Sequence, residues 1–308
     1  MPGNSRRIIW LAYIGLILTP LFWAGNAVVA RGMVDTIPPL SLAFWRWCIA
    51  LVILLPIGLP KVRAHWSVIM KHKGSMLALA TFSVGAFNTL LYLSAVTTTA
   101  LNITLVNSTI PIMVALLAWL ILGDRTRPIQ AMGIALALAG ILVVVGQGSW
   151  QVLGGLAFQP GDLIMVAAVA SWGLFSVLLR RQSVPLDPIA FLTVQIALGV
   201  VVVLPFYLLD LLFFSGGFEL TPGTIPPLLY VAIFPGILAY AFWNNGVHRI
   251  GPAKAAVFMY LTPVYGSVLA GLFLGERLSL FHLAGGALIL IGLLMTTRPA
   301  SAGKAVIS

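Results

Sequence analysis

Apolar residues fall in ten long runs, at about 8–30, 38–58, 75–96, 98–122, 128–146, 160–179, 189–212, 225–247, 252–274 and 279–297. Each is close to the roughly 20 residues an α-helix needs to cross a ~30 Å hydrocarbon core. A helix packed on a soluble core keeps a polar stripe, whereas most of these runs are apolar all round. The pattern predicts an all-α integral membrane protein of ten transmembrane helices.

The placement of positive charge gives the orientation. With the N-terminus inside, the inner positions hold Arg6, Arg7, Lys61, Arg63, Lys71, Lys73, Arg125, Arg127, Arg180, Arg181, Arg249, Lys254, Arg298 and Lys304, and the outer ones hold only Arg31 and Arg277. This is the positive-inside pattern. It places both termini in the cytoplasm of a multi-pass protein, and removing any one span would scramble it. The first run follows Arg6 and Arg7 but is too long for the apolar stretch of a signal peptide, so it reads as a retained span.

Composition agrees. Of 308 residues, 60% are hydrophobic and 8% charged, and ten helices leave no room for an extramembrane domain. The net charge of +10 sits in short gaps between runs rather than on one face, which argues against a nucleic-acid partner. Cys48 is the only cysteine, so neither an internal disulfide nor a cysteine-rich metal site is expected.

The two halves of the chain resemble each other. Pro111, Leu122–Gly123–Asp124–Arg125, Gly133 and Gly140 stand 152 positions before Pro263, Leu274–Gly275–Glu276–Arg277, Gly285 and Gly292. Trp23, Arg31, Pro39 and Gly85 stand 149 to 151 positions before Trp172, Arg180, Pro188 and Gly236. A constant offset over so many positions marks a duplication. Five spans per copy is an odd number, so the copies enter the membrane in opposite directions. The expected units are 1–148 and 149–308, two inverted five-helix repeats forming one membrane domain. Inverted repeats are characteristic of secondary transporters, which bind substrate near the midplane between the halves.

The Pro…Leu-Gly-(Asp/Glu)-Arg…Gly…Gly pattern, present in both halves of a ten-span chain, resembles the EamA-type drug/metabolite transporter superfamily. Within it the chain looks most like the YddG-type exporters of aromatic and other neutral amino acids. The resemblance implies a bacterial inner-membrane carrier in which four spans of each repeat surround a central cavity and the fifth and tenth buttress it. It also implies export as the direction. Asp124 stands where glutamate is commoner in that family.

Polar and amphipathic aromatic residues at helical spacing inside the runs mark candidate substrate-binding positions. They are Trp23, Asn26, Arg46, Asn88, Tyr92, Asn107, Trp172, Gln195, Tyr240, Trp243, Asn244 and Tyr260. Aromatic rings stack on other rings, and amides and hydroxyls bond a carboxylate or an amine without fixed charge. Arg46 is the one ionisable side chain well inside a run; it could read a substrate carboxylate or reach back to the outer interface. Its counterpart in the second half is Gln195. Pro111 and Pro263 are candidate hinges. Gly133, Gly140, Gly285 and Gly292, spaced by seven within each run, predict close helix packing.

Several chemistries are missing from the pattern. No Asp or Glu lies deep in a run, the four histidines show no metal-ligand spacing, and there is no Walker A loop. No catalytic residues, metal or cofactor are expected. The function expected is a secondary transporter exporting aromatic and other neutral amino acids by alternating access, with small-molecule substrate and lipid bilayer as partners. The alternatives are a broad exporter of amphipathic or cationic solutes, for which cation–π attraction would serve, and an intramembrane lipid enzyme, for which no nucleophile–base pair is visible.

Overall fold

A computed structural model describes residues 2–33, 35–95, 97–98, 100–274 and 280–297. All regular structure among them is helical. The helices are α1 (Pro2–Gly32), α2 (Pro39–Ala64), α3 (Trp66–Lys71), α4 (Lys73–Ala80), α5 (Asn88–Ala95), α6 (Ala100–Asn107), α7 (Ile110–Leu122) and α8 (Pro128–Val145), then α9 (Trp150–Gly154), α10 (Pro160–Gln182), α11 (Pro188–Asp210), α12 (Ile225–Val231), α13 (Ala239–Ile250), α14 (Pro252–Val257), α15 (Leu261–Leu274) and α16 (Leu280–Thr297). Pro39, Pro128, Pro160, Pro188 and Pro252 each open a helix, where a residue without an N–H costs no hydrogen bond and its fixed φ suits the first turn.

Nine helical stretches among the described residues are long and apolar enough to cross a bilayer. The run at 252–274 is not one of them; it is built as α14, a single 3-10 turn at Phe258–Tyr260, and α15. The reason is Pro263, which supplies no N–H for the carbonyl of Met259 and crowds it with its ring, so the preceding turn tightens. The run at 98–122 is divided in the same way: α6 ends at Asn107, four residues before Pro111, and α7 begins at Ile110. Both prolines therefore sit in the first turn of a new helix rather than in the middle of a long one. Glu276, Arg277, Arg298 and Lys304 lie outside the described residues.

Two membrane stretches are wound more loosely than an α-helix. Thr81–Phe87 and Ala232–Leu238 are π-helical, seven residues each and 151 positions apart. A third π segment, Leu211–Ser215, ends the α11 stretch.

Small residues set the helix crossings. A Cβ on Gly133 would lie 2.6 Å from the carbonyl oxygen of Gly292, and one on Gly292 would lie 2.4 Å from that of Gly133. Gly140 and Gly285 meet in the same reciprocal way. As the first helix advances the second recedes, so α8 and α16 pack antiparallel, backbone against backbone. Elsewhere Gly58 of α2 receives Thr193 of α11, and Gly246 of α13 receives Leu16 of α1. The centre of the molecule is aromatic: Trp47, Trp172, Trp243, Tyr260 and Phe175 are its largest fully buried side chains.

Candidate substrate-binding site

The two breaks beside the prolines face a common space. A cavity of about 320 Å³ is lined by Asn107, Ser108 and Pro111 on one side and by Met259, Tyr260 and Pro263 on the other, each 152 positions from its counterpart. Ala24, Ala27 and Val28 of α1 and Ile141 of α8 close the remaining walls. The volume is at the lower end of the range for small-molecule sites. The walls are mostly apolar, and two of the lining residues carry a buried polar atom with no hydrogen-bond partner, Asn107 Oδ1 and the Tyr260 hydroxyl. Buried polar atoms are normally satisfied, so these two stand out.

Trp23, next to Ala24 of the cavity wall, belongs to a packed aromatic box. The ring centroids of Trp23, Trp172 and Trp243 are 5.2 to 5.6 Å apart. Tyr240 stands edge-on to Trp172 at 5.8 Å and to Trp47 at 4.9 Å. The indole nitrogens of Trp47, Trp172 and Trp243 are all buried without an acceptor.

A polar network adjoins the box. Arg46 donates to Asn88 Oδ1 at 2.7 Å and to Asn26 Oδ1 at 3.4 Å, and its guanidinium lies 4.7 Å from the Trp47 ring centroid. Only 5% of Arg46 is exposed, so it does not reach back to the interface as one sequence reading allowed. Asn88 in turn donates to the carbonyls of Ser83 and Val84, and the Tyr240 hydroxyl also donates to Ser83 O at 3.3 Å. Gln195 donates to Ser83 Oγ at 2.9 Å and accepts from Asn244 Nδ2 at 3.0 Å. Ser83 thus ties α5, α11 and α13 together from within the π-helical turn, and α2 joins through Asn88.

Of the candidate residues, Trp23, Asn26, Arg46, Asn88, Trp172, Gln195, Tyr240, Trp243 and Asn244 come together in the box and network, and Asn107, Tyr260, Pro111 and Pro263 line the cavity. The side chain of Tyr92 lies outside the described ones. Sequence reasoning missed Ser83 and Trp47. It assumed α-helical spacing through 81–88, and the π winding turns Ser83 rather than Gly85 toward Asn88; Gly85 packs instead on Val202 of α11. The one sequence trace of Trp47 was its place beside Arg46.

Buried polar ties also join helices away from the cavity. Asp162, at the start of α10, is 6% exposed and accepts from the Thr98 hydroxyl, from Asn102 Nδ2 at 2.9 Å and from the Gln159 N–H at 2.8 Å. Asp187 caps α11 by accepting from the Ile189 N–H at 2.9 Å and pairs with Lys61 Nζ of α2 at 2.9 Å. The Lys61 hydrogen bond holds the Asp187 carboxyl below the usual carboxylate range.

The EamA-like transporter family model matches residues 10–146 and 159–298. The chain is 28% identical to the uncharacterized transporter YyaM of Bacillus subtilis (strain 168), over 92% of each protein. It is 29% identical to a protein of Salmonella typhimurium named a probable amino-acid metabolite efflux pump, over 94% of each. A solved crystal structure matches with a TM-score of 0.77 at 21% identity, covering 93% of this chain and 96% of the other. That last likeness concerns the fold alone.

Proposed function

The chain belongs to the EamA-like transporter family and is a multi-pass membrane transporter; we propose that it exports aromatic and other neutral amino acids by alternating access. The observation that carries this reading is the cavity between the two proline-linked breaks, two of whose lining residues, Asn107 and Tyr260, carry buried polar atoms with no partner. A mostly apolar wall suits a hydrophobic side chain, and a few polar groups suit an α-amino acid head. The aromatic box begins one residue from the wall, at its part-exposed member Trp23, and its rings would stack on an aromatic solute once the packing opens. The Salmonella typhimurium relative's name points to the same solute class.

Two inverted repeats, 1–148 and 149–308, account for the symmetry of the cavity. Support comes from the two stretches matched by the family model, the equal π-helical segments and the antiparallel packing of α8 on α16. The run at 252–274 serves as the tenth span, completing a second copy of five. In this scheme the repeats rock about the cavity, with Pro111 and Pro263 as the hinges and both termini on the cytoplasmic side of a bacterial inner membrane.

Counterflow in proteoliposomes tests the reading, using labelled Phe, Trp, Thr, Glu, choline and a nucleotide sugar with and without a pH gradient. Uptake of Phe, Trp and Thr is expected. Uptake of choline alone would replace the amino-acid reading with a cation exporter.

A further inference from the structure

We propose that Arg46 reads a carboxylate on the transported solute, so that the site accepts amino acids and other monocarboxylates and refuses their decarboxylated amines. The inference rests on the amino-acid transporter reading above and names the group that sets its charge selectivity.

The argument begins with an unbalanced charge. A guanidinium stays protonated under all ordinary conditions and offers five N–H donors in a fixed fork. That of Arg46 is almost fully buried, and its bonded partners are two neutral amide oxygens, Asn26 Oδ1 and Asn88 Oδ1. Its Nε has no partner. Among the described residues no carboxylate meets it: Asp162 is held by Thr98, Asn102 and Gln159, Asp187 by Lys61, Asp210 at the end of α11 is part-buried with an unpartnered Oδ2 and no bond to Arg46, and Asp35, Asp124 and Glu219 are exposed. A buried charge is normally paired, because desolvation is costly and neutral hydrogen bonds offset only part of it.

The surroundings are short of acceptors in the same sense. The indole N–H groups of Trp47, Trp172 and Trp243 are buried and unused, and Trp47 lies directly against the guanidinium. One orphan acceptor belongs to the same network, Asn244 Oδ1. A carboxylate brings the negative charge and the acceptor lone pairs that Arg46 and the indoles lack. An ammonium on the same solute could donate to Asn244. An organic cation brings neither charge balance nor acceptors and meets a fixed positive charge.

The test is competition against labelled Phe counterflow by unlabelled phenylalanine, phenylacetate, phenylalaninamide and phenethylamine, in wild type, Arg46→Gln and Arg46→Lys. In wild type, phenylalanine and phenylacetate should compete at least 10-fold better than the amide and the amine. Arg46→Gln should weaken phenylalanine and phenylacetate about 10- to 100-fold, the worth of a charge-assisted hydrogen bond, and leave the amine unchanged or better. Arg46→Lys should keep the preference at reduced strength, because lysine supplies the charge without the fork. A wild type that takes phenethylamine as well as phenylacetate overturns the inference without any variant. So does an Arg46→Gln protein, monodisperse in detergent, that weakens acids and amines alike, since that marks Arg46 as a helix tie. If labelled Phe shows no counterflow in wild type, the amino-acid reading fails. Direct counterflow of labelled phenylacetate and phenethylamine then decides the charge rule by itself, and uptake of the amine alone overturns it.

Discussion

Gly140 and Gly285 occlude one another: a Cβ on the first would stand 2.5 Å from the carbonyl oxygen of the second, and a Cβ on the second 2.6 Å from that of the first. Real Cβ atoms do not approach that closely, so α8 and α16 touch only because both positions are bare. Gly133 and Gly292 repeat the arrangement one heptad away, and the pair of helices is locked along its length. Gly292→Val should therefore force the helices apart and destabilise the protein by about 1–3 kcal/mol, the usual cost of overpacking. Gly74→Ala, where nothing lies within 4 Å, is the control and should be nearly neutral. Thermal unfolding of purified protein in detergent measures both; equal melting temperatures would remove the packing role of Gly292.

Trp243 is fully buried in the aromatic box. Truncation to alanine should cost about 3–5 kcal/mol and lower the yield of folded protein, so loss of transport in that variant would say little about binding. Trp243→Phe and Trp172→Phe keep a six-membered ring and remove the unpartnered N–H together with the rest of the five-membered ring, a smaller loss of volume than truncation to alanine. Yield should hold while the apparent affinity for Phe falls severalfold. Wild-type competition curves from both variants would show that these N–H groups do not meet the solute.

Tyr260 lines the cavity and carries a buried hydroxyl with no hydrogen-bond partner. Tyr260→Phe removes a polar atom that has no partner while the cavity is empty, so the empty protein should be unchanged or more stable by about 1 kcal/mol. The same substitution should weaken solute binding. Melting temperatures with and without saturating Phe separate the two effects. The expected result is a smaller solute-induced shift in the variant, and an equal shift would remove the hydroxyl from the site.

The Lys61–Asp187 pair joins the end of α2 to the cap of α11, and both side chains are partly exposed, at 39% and 29%. Because the folded state lowers the Asp187 pKa, its contribution is fully present above the unfolded value of about 4 and is lost as pH falls through the lower folded value. Partial exposure limits the coupling to about 0.2–1 kcal/mol. A double-mutant cycle with Lys61→Met and Asp187→Asn should find that coupling at pH 7 and a progressively smaller one as the pH is lowered below the unfolded value. A coupling that persists at low pH would contradict the ionic account.

Much of the architecture was legible because a bilayer imposes one loud rule, an apolar stretch of fixed length. The runs expected at 128–146 and 279–297 are matched closely by Pro128–Val145 and Leu280–Thr297. The glycine spacing announced their contact, and the prolines announced the breaks. What escaped was winding. Thr81–Phe87 has the same kind of composition as its α-helical neighbours, and its Ser83 carbonyl accepts from Asn88 and from Tyr240 of another helix, a tertiary circumstance with no local composition to mark it. Arg46 was legible as an anomaly in an apolar run, but its amide partners were not.

The π-helical turns hold one further consequence, which concerns chain length rather than residue identity. Successive α-helical residues advance by about 100° around the axis, and a π turn accommodates one residue more than an α turn. Rewinding Thr81–Phe87 as α-helix with every residue kept would swing all that follows by about that angle against all that precedes it, whereas deleting one residue would let the segment rewind with both flanks in place. In the first case Asn88 would leave the azimuth of Arg46 although no atom of either had been altered. The segment at Ala232–Leu238 stands just before Tyr240, Trp243 and Asn244 in the same relation. Each half of the protein thus carries one surplus residue that sets the phase of its polar and aromatic face, and in these two places a change of winding, with no change of sequence, is a rotation of that face.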